Sequence, residues 1–113
     1  MAGRKLGRSG SHRTHMLRNL AVAVLRYEKV RTTEAKAKEV RGLVDRLIGT
    51  AKEGDLAARR RLIAEMPHEP LMVEKLMGEL AAKYAERSSG FTRMVKIGPR
   101  LGDAAEIVQI ELV

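Results

Sequence analysis

Apolar positions recur at helical spacing along most of the chain and switch to alternation near its end. Leu17, Leu20, Ala21 and Val24 fall at i, i+3, i+4 and i+7, which predicts a helix running to about Glu28, with Ser11 placed to cap it and the stripe packed inward. Lys29 to Thr33 (KVRTT) is rich in β-branched residues and separates two helical patterns, so it reads as a brief strand or extended connector. From Glu34 the helical pattern resumes. Ala37, Val40, Val44, Leu47, Ile48 and Ala51 share one face, and Lys36, Lys38, Arg41 and Lys52 lie off it.

Gly54 suits the left-handed position that ends such a helix, and Asp55 is placed to cap the next one, Leu56 to Met66. Burial of Leu62, Ile63 and Met66 is expected there, with a stop at Pro67. Pro70 can open a fourth helix, whose apolar positions are Val73, Leu76, Met77, Leu80 and Tyr84, before Ser88-Ser89-Gly90 interrupts the pattern. Phe91 to Ile97 and Glu106 to Val113 are β-rich and joined by a loop containing Gly, Pro and Asp, which predicts a hairpin. In its second strand Val108, Ile110 and Leu112 alternate with Ile107, Gln109 and Glu111, the signature of a half-buried antiparallel strand. Met66, Met72 and Met77 read as core filler.

Charge changes this picture at one end. Of 113 residues, 22 are Lys or Arg and 14 Asp or Glu, a formal net charge of +8. Arg4, Lys5, Arg8, Arg13, Arg18 and Arg26 precede the first acid, Glu28. A polyanionic partner is the natural inference. AGRKLGRSG at 2 to 10 has too few apolar residues to anchor a core, so residues 1–10 are expected to form a basic extended tail and 11–113 one domain. A lipid surface is a poor fit to a chain with one Phe, two Tyr and no Trp, and no stretch is apolar enough to span a bilayer. Without cysteine there are no disulfides or thiol chemistry.

Candidate chemistry is sparse. His12 and His15 lack a third metal ligand at recognisable spacing, the glycines at 3, 7 and 10 do not form a nucleotide-binding loop, and no carboxylate or His cluster marks a hydrolase. A DNA-binding protein would share the basic charge but should display a recognition helix, and none is evident. The reading therefore assigns no catalytic residue, metal, cofactor or small-molecule substrate. Arg59-Arg60-Arg61 points in three directions from a helix, so only one or two can address one surface, and a solvated face is an equal alternative. Lys36, Lys38 and Arg41 could simply pair with Glu34, Glu39 and Asp45, or could join Thr32 and Thr33 at a helix start in holding phosphate. Arg93 and Lys96 lie on opposite faces of one strand, so at most one should face solvent if the other face is buried.

These segments, in order, resemble a known family: RKLGR at 4 to 8, SHR at 11 to 13, MLRNLA at 16 to 21, VRTTEAKAKEVR at 30 to 41, GDLAARR at 54 to 60 and SSGFTRMVKIGPRLGDAAE at 88 to 106. The chain is similar throughout to the bacterial large-subunit ribosomal protein L seventeen family, with Phe91 where Tyr is usual. The resemblance implies an α+β fold of four helices packed against a small mixed three-stranded sheet, formed by the segment near Thr32 and the C-terminal β-hairpin. It implies a structural role in translation: binding large-subunit ribosomal RNA near the nascent-peptide tunnel exit, beside other ribosomal proteins, in the cytoplasm. The matching positions expected to touch RNA are Arg4, Lys5, Arg8, His12, Arg13, Arg18, Asn19, Thr32, Thr33, Lys36, Lys38, Arg41, Arg59, Arg60, Arg93 and Lys96.

Overall fold

A computed structural model describes residues 10–113, so the basic segment carrying Arg4, Lys5 and Arg8 lies outside the described residues. Helix α1 (Gly10–Tyr27) contains Ser11, which is therefore inside the helix rather than its cap. The helix ends because Glu28 takes a left-handed conformation (φ 66°), an uncommon one for a residue with a side chain. Its amide donates back to the Val24 carbonyl at 2.8 Å, and its carbonyl accepts from Leu112 N at 2.9 Å. The chain then enters β1 (Lys29–Thr33) and turns directly into α2 (Glu34–Glu53).

All six predicted apolar positions of α2 are buried, from Ala37 to Ala51. Gly54 ends this helix in the left-handed region (φ 72°), and its amide donates to Ala51 O. The Asp55 carboxylate accepts from Ala58 N at 2.7 Å and so caps α3 (Leu56–Glu65). Helix α3 turns Ala58 and Leu62 into the core. Ile63 does not follow the expectation: it is 47% exposed while Leu62 is 1% exposed. Consecutive residues on a helix lie about 100° apart, and the narrow contact made by this short helix covers only one of them.

The fourth helical segment opens with Pro70 in its first turn as α4 (Pro70–Lys75), widens into a π-helical turn (Leu76–Leu80) and closes as α5 (Ala81–Lys83). Regular α-helix was expected here. Val73, Leu76, Leu80 and Tyr84 are nevertheless buried, and Met77 packs against the same cluster.

Strands β2 (Thr92–Pro99) and β3 (Glu106–Leu112) form the C-terminal hairpin, and the sheet order is β1-β3-β2. Both pairings are antiparallel, which corrects the mixed sheet inferred from the family resemblance. β3 lies between β1 and β2, which run in the same direction but never touch, so no parallel ladder forms. β3 is the strand with the clean alternation, and its Val108, Ile110 and Leu112 face the helices. A bulge separates Lys96 from Gly98 and leaves Ile97 unopposed. From Val95 through Leu101 no residue is buried, on either face of the strand. The hairpin therefore runs beyond the helices, which is why Lys96 is exposed although it shares the face of buried Thr92, while Arg93 is exposed on the opposite face, which the helices do not cover.

The end of the chain is tied back at two points. Tyr84 Oη donates to Val113 O at 2.8 Å, and its ring meets Phe91 with centroids 5.2 Å apart. Thr92, a buried polar residue, donates its hydroxyl to Asp45 at 3.3 Å.

Candidate nucleic-acid interface

The expected contact residues divide by element. On α1, Arg13 reaches α2: its Nε and Nη2 both donate to Glu39 Oε2, at 3.2 and 2.7 Å. This ion pair fixes the start of α1 against the second turn of α2. Between them runs an open groove of about 560 Å³ lined by Arg13, Thr14, Leu17 and Arg18 from α1 and by Glu39, Gly42, Leu43 and Arg46 from α2. Glu65, at the end of α3, closes one side and lies 3.7 Å from Arg18. Arg18 also lines a smaller hollow of about 220 Å³ with His15, Asn19 and the 65–69 turn.

His12 falls within α1, where only the backbone is described. Thr32 and Thr33 end β1 half-buried. Thr33 is the N-cap of α2 and makes no side-chain capping bond. Lys36 stands one turn before Glu39 and Arg46 two turns after it, so the groove is flanked by cations along α2. Lys38 pairs with Glu34 at 2.9 Å, as one of the two sequence readings allowed. Arg41 does not pair with Asp45, whose carboxylate instead accepts from Thr92. Among the described residues Lys36, Arg41, Arg46 and Arg60 form no ion pair.

The basic triplet of α3 splits as helical geometry requires. Arg59 binds Glu74 and holds that carboxyl below its usual range, Arg61 binds Glu53, and Arg60 projects to solvent. Arg93 and Lys96 are not among the groove's lining residues and sit on the edge strand separated from β1 by β3. Arg93 Nε donates to Glu111 at 2.7 Å and is the main reason that carboxyl titrates low, with Gln109 and Lys29 adding to the effect. Lys96 forms no ion pair among the described residues.

Three cations were missed. Arg46 lines the groove, and Lys29 and Arg31 sit exposed on one face of β1. The signal for the latter two was present as period-two alternation in KVRTT, which places Lys29, Arg31 and Thr33 on the same side. Among the described residues no group of three or more His, Asp or Glu could hold a metal ion, and no helix is long and apolar enough to cross a membrane.

Comparison with known proteins decides what kind of chain displays this surface. Residues 16–113 match the family described as Ribosomal protein L17. The chain belongs to that family. It is 54% identical over 113 residues to the large ribosomal subunit protein bL17 of Desulfitobacterium hafniense, with both chains covered completely. The proteins of the same description from Clostridium perfringens and Clostridium botulinum are 52% and 50% identical over 114 residues, again across 100% of each chain. The family is one of large-subunit ribosomal proteins, and its match takes in the groove from Met16 onward, α2, α3 and the whole hairpin.

Proposed function

We propose that the chain is a non-catalytic structural component of the bacterial large ribosomal subunit, working in the cytoplasm. It binds large-subunit ribosomal RNA near the nascent-peptide tunnel exit, beside neighbouring ribosomal proteins. The observation that carries this reading is the distribution of pairing. Most acids of the domain are held in ion pairs or as caps, whereas Lys36 and Arg46 of α2 form none among the described residues, and Arg46 lines the open groove with Lys36 one turn before its Glu39. Cations left over in this way suit phosphates, which they neutralise with release of condensed counterions. Arg4, Lys5 and Arg8 add three further charges just ahead of α1.

In this reading the groove residues supply position rather than sequence discrimination. Arg and Lys address the backbone of a folded RNA, while Asn19, with both donor and acceptor, can meet a base edge or a ribose hydroxyl. The test is binding of the purified chain to deproteinised large-subunit ribosomal RNA across a salt series. Replacing Lys36 and Arg46 together by Ala should make the dependence of log K on log salt shallower by about two, leaving the circular dichroism spectrum unchanged. An unchanged slope would remove the groove from the interface.

A further inference from the structure

The helices cover one face of the sheet, and the other face carries a second cluster of cations. In the antiparallel register Glu111 lies opposite Lys29 on one side and Arg93 on the other, which makes a cross-strand row Lys29, Glu111, Arg93. The next row on the same face is Arg31, Gln109, Val95. Lys29, Arg31 and Arg93 are all exposed. Their Cα positions bound a patch about 7 Å along the strand by about 10 Å across it, from ordinary strand geometry. Three cations share one carboxylate there. Glu111 binds Arg93 at 2.7 Å, and Arg31 forms no ion pair among the described residues, so the patch keeps an excess of two positive charges. Tyr27, 66% exposed, ends the helix that leads into β1.

We infer that this open sheet face is a second phosphate-binding surface, separate from the groove between α1 and α2, and that the chain holds two RNA segments on opposite sides of its core. The inference rests on the RNA-binding reading above and extends it to residues that the groove does not include. Charge is what selects the occupant. An apolar protein partner would require Lys29 and Arg31 to be desolvated without a matching acid, which is costly, whereas an RNA backbone supplies the missing anions. Gln109, opposite Arg31 in the register and donating to Glu111 at 3.2 Å, adds a polar group able to meet a ribose hydroxyl. The packed core between the two faces makes the arrangement a rigid spacer.

The test uses the full chain and deproteinised large-subunit ribosomal RNA, comparing the parent with Lys29→Thr/Arg31→Thr and with Lys36→Ala/Arg46→Ala. Thr favours the strand conformation, so the first variant should fold normally by circular dichroism. Each double variant is expected to make the salt slope shallower by about two, and the quadruple variant by about four. A sheet-face variant with the parental slope, beside a groove variant whose slope falls, overturns this inference and leaves the proposed function standing. The same parental slope accompanied by loss of co-sedimentation with large subunits would assign the face to a protein neighbour, and also overturns it. A parent chain with no salt-dependent RNA binding removes both readings.

Discussion

Arg13 and Glu39 meet with both side chains only 13% exposed, two donors of one guanidinium sharing a single carboxylate oxygen. The contact joins helices that are adjacent in space but separated by a strand in sequence. It also changes what Arg13 can offer to a nucleic acid, since its charge is already balanced inside the fold. Arg13→Ala should therefore act on stability more than on RNA affinity. Loss of a partly buried, charge-assisted pair is expected to cost about 1 kcal/mol, lowering Tm by roughly 5 °C. The RNA salt slope should change by less than one. A variant with parental Tm and a clearly shallower slope would show the guanidinium to be engaged with phosphate instead.

Lys75 serves the end of α1. Its ammonium donates to Leu25 O at 2.6 Å, Arg26 O at 3.3 Å and Glu28 Oε2 at 3.2 Å, with the side chain 16% exposed. These are orphan carbonyls at the negative end of a helix, and a cation placed there offsets them. Lys75→Met keeps the stem and removes the donor, so it should destabilise by about 1 to 2 kcal/mol in urea with the m-value unchanged. Stability equal to the parent would mean that water satisfies those carbonyls equally well.

Leu62 and Ile63 are neighbours in sequence with opposite fates, 1% and 47% exposed. Leu62→Ala should cost about 2 to 5 kcal/mol through lost burial and a residual cavity, and Ile63→Ala about 0.5 kcal/mol or less. Chemical denaturation of the two variants decides this, and comparable losses would contradict the placement of α3.

That pair also shows where the sequence was readable. The α2 face was legible position by position because a 20-residue amphipathic helix repeats its signal over several turns. The Gly54-Asp55 punctuation was legible because each residue has a local physical role. On α3 the apolar Leu62-Ile63 pair gives two candidates for one slot, and only tertiary packing chooses. The place of β1 was hidden for a similar reason: the hairpin of β2 and β3 was legible, but KVRTT does not state which edge it joins or in which direction. For the candidate interface, residue types revealed the cations but not their partners. Arg13, Arg59 and Arg93 look like Lys36 and Arg60 in sequence, yet the first three meet Glu39, Glu74 and Glu111.

Acid should expose these pairs. Asp103, bonded to Arg100 and to the Ala105 amide in the hairpin loop, titrates at about 2 rather than 3.8. Arg59 lowers Glu74, and Arg93 lowers Glu111. Lys75 is the main cause of the lowered Glu28. A carboxyl whose folded pKa lies below its unfolded value stabilises the fold above the unfolded value and ceases to do so as pH falls through the folded one. Tm should therefore hold steady above the usual glutamate value of 4.5 and decline from there towards about 2. Asp103→Asn should flatten the lowest part of that decline. A Tm that rises on acidification would contradict the assignment.

The central claim is that cations left unpaired by the fold neutralise ribosomal RNA. It is tested most directly by titrating the full chain against deproteinised large-subunit ribosomal RNA between about 50 and 200 mM salt. If at least about four phosphates are engaged, log K should fall against log salt with a slope of roughly −3 or steeper. An affinity indifferent to salt, or no binding at the low end of the series, would contradict it.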